Sequence, residues 1–176
     1  MVSGGARSGL VVVVPTAEPL VGAHRARLDA NAALGLPPHV TVLFPFVAPG
    51  DLDASVLDRV ARVVSTVPTF AHRFPHTDWF DDDVLWLAPE DPTPFAELTH
   101  RLHAEFPGHP PFGGAFAEVV PHLTIGHGHP RPALEAAEHA VQAGLPVTGT
   151  ATEVALFVQD GPGEEWTLHG RFPLGR

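Results

Sequence analysis

The chain contains no cysteine and no tyrosine, and all ten of its basic residues are arginine. Without cysteine there is no disulfide, no thiolate nucleophile and no cysteine-ligated zinc or iron–sulfur site. Without lysine there is no lysine nucleophile, including the covalent nucleotidyl-lysine that nucleotide-dependent ligases form. Acid–base chemistry therefore falls to histidine, aspartate and glutamate. Long apolar runs are missing too, and none approaches the ~20 residues of a membrane-spanning helix. The run Leu10–Val14 is shorter than a signal-peptide core, and no small-residue cleavage site follows it. A cytoplasmic location without a membrane partner is the expectation.

Positive charge is scarce. Twenty acidic residues face ten basic ones, a net charge of −10. A protein that wraps long nucleic acid presents a basic face, because phosphate contacts supply most of its affinity. The acidic balance points instead to a small or end-of-strand substrate. With 44% hydrophobic and 17% charged residues in 176, the chain is a folded protein with enough length for one sizeable core. No long polar linker divides it, so residues 1–176 read as one domain, expected to be a monomer.

What the chain has in quantity is histidine, 12 residues of it, and two of these sit in a repeated pattern. Pro38-His39-Val40-Thr41-Val42 and Pro121-His122-Leu123-Thr124-Ile125 share proline, histidine, apolar, threonine, apolar. A bare His-x-Thr is expected about 0.8 times by chance in this composition, but the full five-residue pattern only about 0.02 times. The copies lie half a chain apart, as an internal duplication would place them. Residues i and i+2 of a strand point to one side. Each copy thus presents an imidazole and a hydroxyl together, with its apolar residues turned to the other side.

The surrounding pattern predicts alternating strands and helices. Leu10–Val14 reads as a buried strand and residues 18–34 as one helix ending near Gly35. Residues 39–46 form the first motif strand, on which Phe44 and Phe46 take the apolar, core-facing parity with Val40 and Val42. A helix follows with Leu52, Val56, Val60, Val63 and Val67 at helical spacing. Residues 69–80 and 84–89 read as a hairpin around Asp81-Asp82-Asp83, and a helix from Thr93 carries the stripe Phe95, Leu98, Leu102 and Phe106. Residues 107–116 are loop, 119–127 the second motif strand, and 132–144 a helix. Residues 146–159 and 165–172 close the chain as two strands. The class is α+β, with mixed sheets and helices outside.

Two imidazoles facing one phosphate suit in-line hydrolysis: one takes a proton from water while the other protonates the leaving oxygen. With ordinary pKa values near 6.5, each can fill either role near neutrality. The threonine hydroxyls can donate to non-bridging oxygens as charge shifts onto them. None of this needs a metal or another cofactor. Two other classes fit the same residues: a module that binds a nucleotide or RNA end without turnover, and a histidine-rich metal-binding protein. For the latter, His127 and His129 share strand parity, while His122 opposes them unless a bulge intervenes.

The paired motifs resemble the signature of the two-histidine (2H) phosphoesterase superfamily. The nearest branch is that of 2′-5′ RNA ligases and RNA 2′,3′-cyclic phosphodiesterases. The resemblance covers nearly the whole chain. It implies a two-lobed, duplicated β/α fold in which each lobe gives one motif strand to a central cleft. It implies metal-independent hydrolysis of a 2′,3′-cyclic phosphate, on a small nucleotide or an RNA 3′ end, to leave a 2′-phosphate. His39 would be the general acid and His122 the general base, with Thr41 and Thr124 binding phosphate. Hydrolysis is expected to dominate over ligation, since water outcompetes a second RNA end by mass action. Members of that branch often carry arginine five residues after the second motif's histidine, where this chain has His127. Arg131, just beyond, is the expected substitute for that charge, with Arg73 and Arg171 as further phosphate-neutralising candidates. His127 and Phe112, the latter in the loop Pro110-Pro111-Phe112-Gly113-Gly114, are the remaining candidate substrate contacts, Phe112 by stacking on a base.

Overall fold

Two of the expected strands are each cut in half, and the cuts decide the architecture. The computed structural model describes residues 5–116 and 118–176. In chain order the elements are β1 (Arg7–Val13), α1 (Glu18–Leu28), α2 (Ala30–Ala33), β2 (His39–Leu43), α3 (Ala54–Val64), β3 (Phe70–Phe74) and β4 (His76–Phe80). Then come β5 (Val84–Ala88), α4 (Thr93–Glu105), β6 (Leu123–His127), α5 (Arg131–Gln142), β7 (Val147–Ala151), β8 (Glu153–Gln159) and β9 (Trp166–Pro173). The predicted strand 69–80 breaks at Pro75, whose missing N–H cannot join a ladder. The predicted strand 146–159 breaks at Thr152. In both cases the first half, β3 or β7, leaves to pair with its counterpart, and the second half joins a larger sheet.

Those larger sheets run β2-β1-β8-β9 and β4-β5-β6. The α+β class stands, with helices and strands in separate layers. The sheets are not mixed, however: every pairing between the described strands is antiparallel. The crossovers explain the difference. Each half's first strand pairs with its own motif strand, β1 with β2 and β5 with β6. Its other edge takes a strand from the opposite half, β8 or β4. The halves thus exchange strands, a non-local arrangement that local sequence patterns do not reveal.

Helices are exchanged in the same sense. α1 packs on β6 and α4 on β2, so the helix of each half covers the motif strand of the other. The predicted α4 stripe holds: Phe95, Leu98, Leu102 and Phe106 are all buried. Beneath these helices lie the apolar residues of the motifs, with Val40, Leu123 and Ile125 at 0% exposure and Val42 at 1%. Each such side chain is worth about 1.5–3 kcal/mol when buried, against about 1 kcal/mol for a typical hydrogen bond. Burial of the backs of β2 and β6 therefore sets how these strands sit, and their polar fronts follow. One core cluster joins both sheets.

The predicted helix 18–34 is two helices. Asp29 breaks it in extended conformation (φ −127°, ψ 110°), and its Oδ1 accepts from the Asn31 N–H at 3.0 Å to cap α2. Asp29 Oδ2 accepts from Arg25 Nη2 at 3.1 Å, a buried ion pair with side chains 2% and 7% exposed.

Gly126 of β6 is packed too closely to admit a side chain without a shift. A Cβ there would meet Leu134 Cδ2 at 2.6 Å and Leu28 Cβ at 2.9 Å. Leu28 Cβ is tied to the α1 backbone and cannot swing aside. Gly126→Ala is expected to cost about 1–3 kcal/mol by overpacking. Chemical denaturation measures it, and an unchanged midpoint at constant slope would show that α1 and α5 give way freely.

Candidate active site

The polar fronts of β2 and β6 open on one cleft of about 430 Å³. His39, Thr41, His122 and Thr124 all line it, with Phe112 and His127. The site is thus assembled from both halves of the chain. A larger hollow of about 490 Å³, between α4 and the loop before β6, holds neither motif. Position of the chemistry, not volume, singles out the first.

The two histidines are held alike. His39 Nδ1 lies 2.7 Å from the carbonyl oxygen of Pro37, and His122 Nδ1 lies 2.7 Å from that of Val120. A carbonyl only accepts, so each Nδ1 carries the proton and donates it, two residues back along the chain. Each neutral ring then keeps Nε2 as an unprotonated acceptor for the cleft. Burial lowers both pKa values, that of His39 to about 4. For His39 the Pro37 carbonyl bond opposes this, as does the Asp29 carboxylate, while Arg25 and His122 add to the depression.

Their surroundings differ. His39 has the buried Arg25–Asp29 pair behind it, with Arg25 Nη1 also donating to the Leu36 carbonyl at 3.0 Å. His122 has aromatic rings. Phe80 meets it edge-on at 4.9 Å and Trp86 at 5.8 Å, and these two rings stack at 4.6 Å. Such contacts add about 0.5–1.5 kcal/mol per pair beyond burial and fix the ring plane. The threonine hydroxyls at i+2 have no hydrogen-bond partner among the described residues, so they are free to donate into the cleft.

Both motif strands carry a bulge at the same place. Leu10 pairs with Leu43 but Val11 with Thr41, so Val42 is the extra residue. Leu85 pairs with Gly126 but Trp86 with Thr124, so Ile125 is the extra residue. A bulge inserts one residue and re-aims those beyond it. Val42 and Leu43 are both buried, as are Ile125 and Gly126. The fifth residue after each histidine, Phe44 or His127, then returns to the cleft. This overturns the expectation that Phe44 is core with Phe46, which is itself buried. His127 is exposed at the rim, its Nε2 3.7 Å from Asp83 Oδ2.

Phe112 does reach the cleft. It sits in a 3-10 turn at φ 51°, its N–H bonded to the carbonyl of Phe44 and its ring edge-on to Phe116 at 5.9 Å. A left-handed backbone at a bulky residue is strained, and the Phe44 bond is what holds it. Arg131 does not reach the cleft. It lies 3.7 Å over the Trp79 ring and pairs with Asp82 at 3.1 Å and Glu135 at 2.9 Å, on the α5 side of the second sheet. Arg73 and Arg171 are likewise elsewhere, paired with Glu90 and Glu153. Sequence reasoning missed the arginine that does line the cleft, Arg7 at the start of β1, and missed Asp29, Asn31, Phe157 and Trp166. Strand parity was the available signal for Arg7, since it shares a face with Gly9 and Val11. Among the described residues no three His, Asp or Glu side chains are grouped as metal ligands. No helix among them is long and apolar enough to cross a membrane.

A family model for the 2′-5′ RNA ligase superfamily matches residues 13–163. The chain belongs to the 2′-5′ RNA ligase superfamily. The resemblance carried by the two motifs is thereby borne out. Among relatives of this superfamily member, "Putative phosphoesterase GK0864" of Geobacillus kaustophilus is 27% identical over 126 residues, 69% of each chain. A protein of Geobacillus thermodenitrificans with the name "Putative phosphoesterase" is 32% identical over 111 residues, 61% of this chain and 60% of its own. Among solved structures, TT0787 of Thermus thermophilus superimposes with a TM-score of 0.64 at 19% identity, covering 97% of this chain and 99% of its own. Escherichia coli LigT complexed with NADP+ gives 0.60 at 17% identity, covering 99% and 100%. At these identities the structures show a shared fold.

The geometry makes a direct expectation for solution. In the ligand-free protein both histidines titrate below 6.5, His39 near 4, because each charged ring is desolvated in the cleft. NMR of the imidazole resonances against pH, assigned with His39→Gln and His122→Gln, measures this. A midpoint at or above 6.5 for either ring would contradict the desolvated placement.

Proposed function

We propose that this chain is a phosphoesterase that hydrolyses a 2′,3′-cyclic phosphate without a metal, with His39 and His122 as its proton-transfer pair. The observation that carries the reading is the pair of rings, each locked as the Nδ1–H tautomer, that offer Nε2 to one cleft. The whole chain acts as one domain, each half contributing one imidazole and one hydroxyl. Membership of the superfamily and the names of its relatives support phosphoester chemistry. LigT has been crystallised with 3′-AMP, NADP+ and phosphate, which supports a nucleotide as the ligand here.

In this reading water attacks phosphorus opposite the bond to O3′. The new P–O bond forms as the P–O3′ bond breaks. His122 takes the water proton at Nε2, and His39 delivers one from Nε2 to the departing O3′. The product is a 2′-phosphate, and the two rings end with protonation states exchanged. Thr41 and Thr124 donate to the non-bridging oxygens. His39 must be an imidazolium when it acts, and the negative charge of the bound phosphodiester raises its depressed pKa toward that state.

The lowered pKa values favour one other reading, a cleft that binds nucleotide without turnover, and the same experiment separates the two. On adenosine 2′,3′-cyclic phosphate, His39→Ala and His122→Ala each lower kcat/KM by at least about 100-fold, and EDTA leaves the wild type unaffected. Tight binding of adenosine 2′-phosphate with no hydrolysis of any cyclic phosphate would favour the binding module instead. The pH profile has a sign. Turnover needs one ring charged and one neutral, and in the free protein both pKa values lie below 6.5. Hence kcat/KM peaks below pH 6.5 and falls through neutrality as the acid loses its proton. A profile still rising at pH 8 would contradict a histidine acid.

A further inference from the structure

The floor of the cleft continues past the histidines along β1. Val11 is paired with Thr41 of the motif, and Gly9 and Arg7 follow on the same face. Arg7 lies four positions before Val11 along the strand, about 13 Å between Cα atoms. The long arginine side chain spans part of that gap. Phe44 packs over Gly9 and Trp166 stands level with Arg7 across β8, their ring centroids 6.2 Å apart.

Arg7 is held in a fixed orientation. Its Nε donates to Gln159 Oε1 at 2.7 Å, and Gln159 is 1% exposed. The other end of that amide donates to the Glu164 carbonyl at 2.8 Å, so Gln159 cannot turn away. The guanidinium carbon lies 5.3 Å from the Phe44 ring and 5.2 Å from Trp166. Its two Nη groups have no hydrogen-bond partner among the described residues. Neither does any described carboxylate pair with it, although the chain carries twenty acidic residues and seven other arginines are so paired. Beside it, Asn31 accepts from Trp166 Nε1 at 3.1 Å through Oδ1, which leaves its amide NH2 as a donor on the cleft wall. The one carboxylate lining the cleft, Asp29, is taken up by Arg25.

A buried glutamine that pins an arginine, and an acidic protein that keeps its carboxylates off that arginine, make a prepared anion site. We infer that Arg7, pinned by Gln159 and flanked by Phe44 and Trp166, is a second phosphate site, which binds the 5′-phosphoryl group of the nucleotide whose cyclic phosphate sits between the histidines. The inference rests on the phosphoesterase reading for the identity of the first site. It adds that the substrate is a nucleotide with phosphoryl groups at both ends of its ribose, and not a bare nucleoside cyclic phosphate. The two free Nη groups match a phosphate bidentately, which a lysine could not do.

The test compares adenosine 2′,3′-cyclic phosphate with its 5′-phosphorylated form and with the dinucleotide that ends in the same cyclic phosphate. Wild type favours the substrates with a 5′-phosphoryl group by about tenfold or more in kcat/KM, the worth of a charge-assisted hydrogen bond. Arg7→Gln erases that ratio and Arg7→Lys retains part of it. Preference confined to the free nucleotide assigns a mononucleotide substrate, and preference shared by the dinucleotide assigns an RNA end. A wild type without preference, or a preference that survives Arg7→Gln, overturns the second site. A purely structural arginine would lower all three substrates alike and leave the ratio intact. If no cyclic phosphate is turned over, the phosphoesterase reading fails separately. The ratio of Kd values for adenosine 2′,5′-bisphosphate and adenosine 2′-phosphate, in wild type and Arg7→Gln, then decides the role of Arg7 in the same way.

Discussion

Everything at the cleft depends on the backs of two strands. β2 and β6 each present two apolar residues to a helix from the opposite half of the chain, and those residues are fully removed from water. Alternation then leaves histidine and threonine on the front without any interaction that directs them there. The exchange of helices and strands between halves means that neither motif strand is seated by its own segment alone. A histidine pair drawn from two distant segments is held in one frame because the halves share one core.

The same packing tunes the chemistry. Desolvation is the leading cause of the lowered pKa at both histidines, and the carbonyl bonds to Nδ1 act against it only in part. Below pH 6.5 the unfolded chain takes up protons that the folded His39 refuses until about pH 4. Stability contributed by keeping this ring neutral is therefore present above 6.5 and is lost as pH falls toward 4. The net charge of −10 sits uneasily with an anionic ligand only when averaged over the surface. Seven arginines are tied into ion pairs, and Asp29, the one carboxylate that lines the cleft, is among their partners, so the other polar groups there are chiefly hydrogen-bond donors and imidazoles.

Much of this was legible in the sequence. Two short motifs with strict alternation marked His39, Thr41, His122 and Thr124, and the α4 stripe marked its buried face. What was not legible has particular causes. Bulges at Val42 and Ile125 reverse strand parity halfway along, so Phe44 enters the cleft where regular alternation would bury it. The helix break at Asp29 depends on that side chain capping α2 while it also pairs with Arg25, a choice a helical pattern does not display. Arg131 followed the motif closely in number but went to Trp79 and two carboxylates on the far side of its sheet. Arg7 lies far from either motif in number, and only the pairing of β1 with β2 and β8 brings it to the site.

The central claim is that both imidazoles grip one phosphorus centre. A crystal structure of the protein with adenosine 2′-phosphate bound tests it most directly. The account predicts one phosphoryl group in the cleft, with His39 Nε2 and His122 Nε2 each about 3 Å from a different oxygen on it and both threonine hydroxyls donating. A phosphate held by a single histidine, or lodged outside the cleft while the cleft stays accessible, would contradict it.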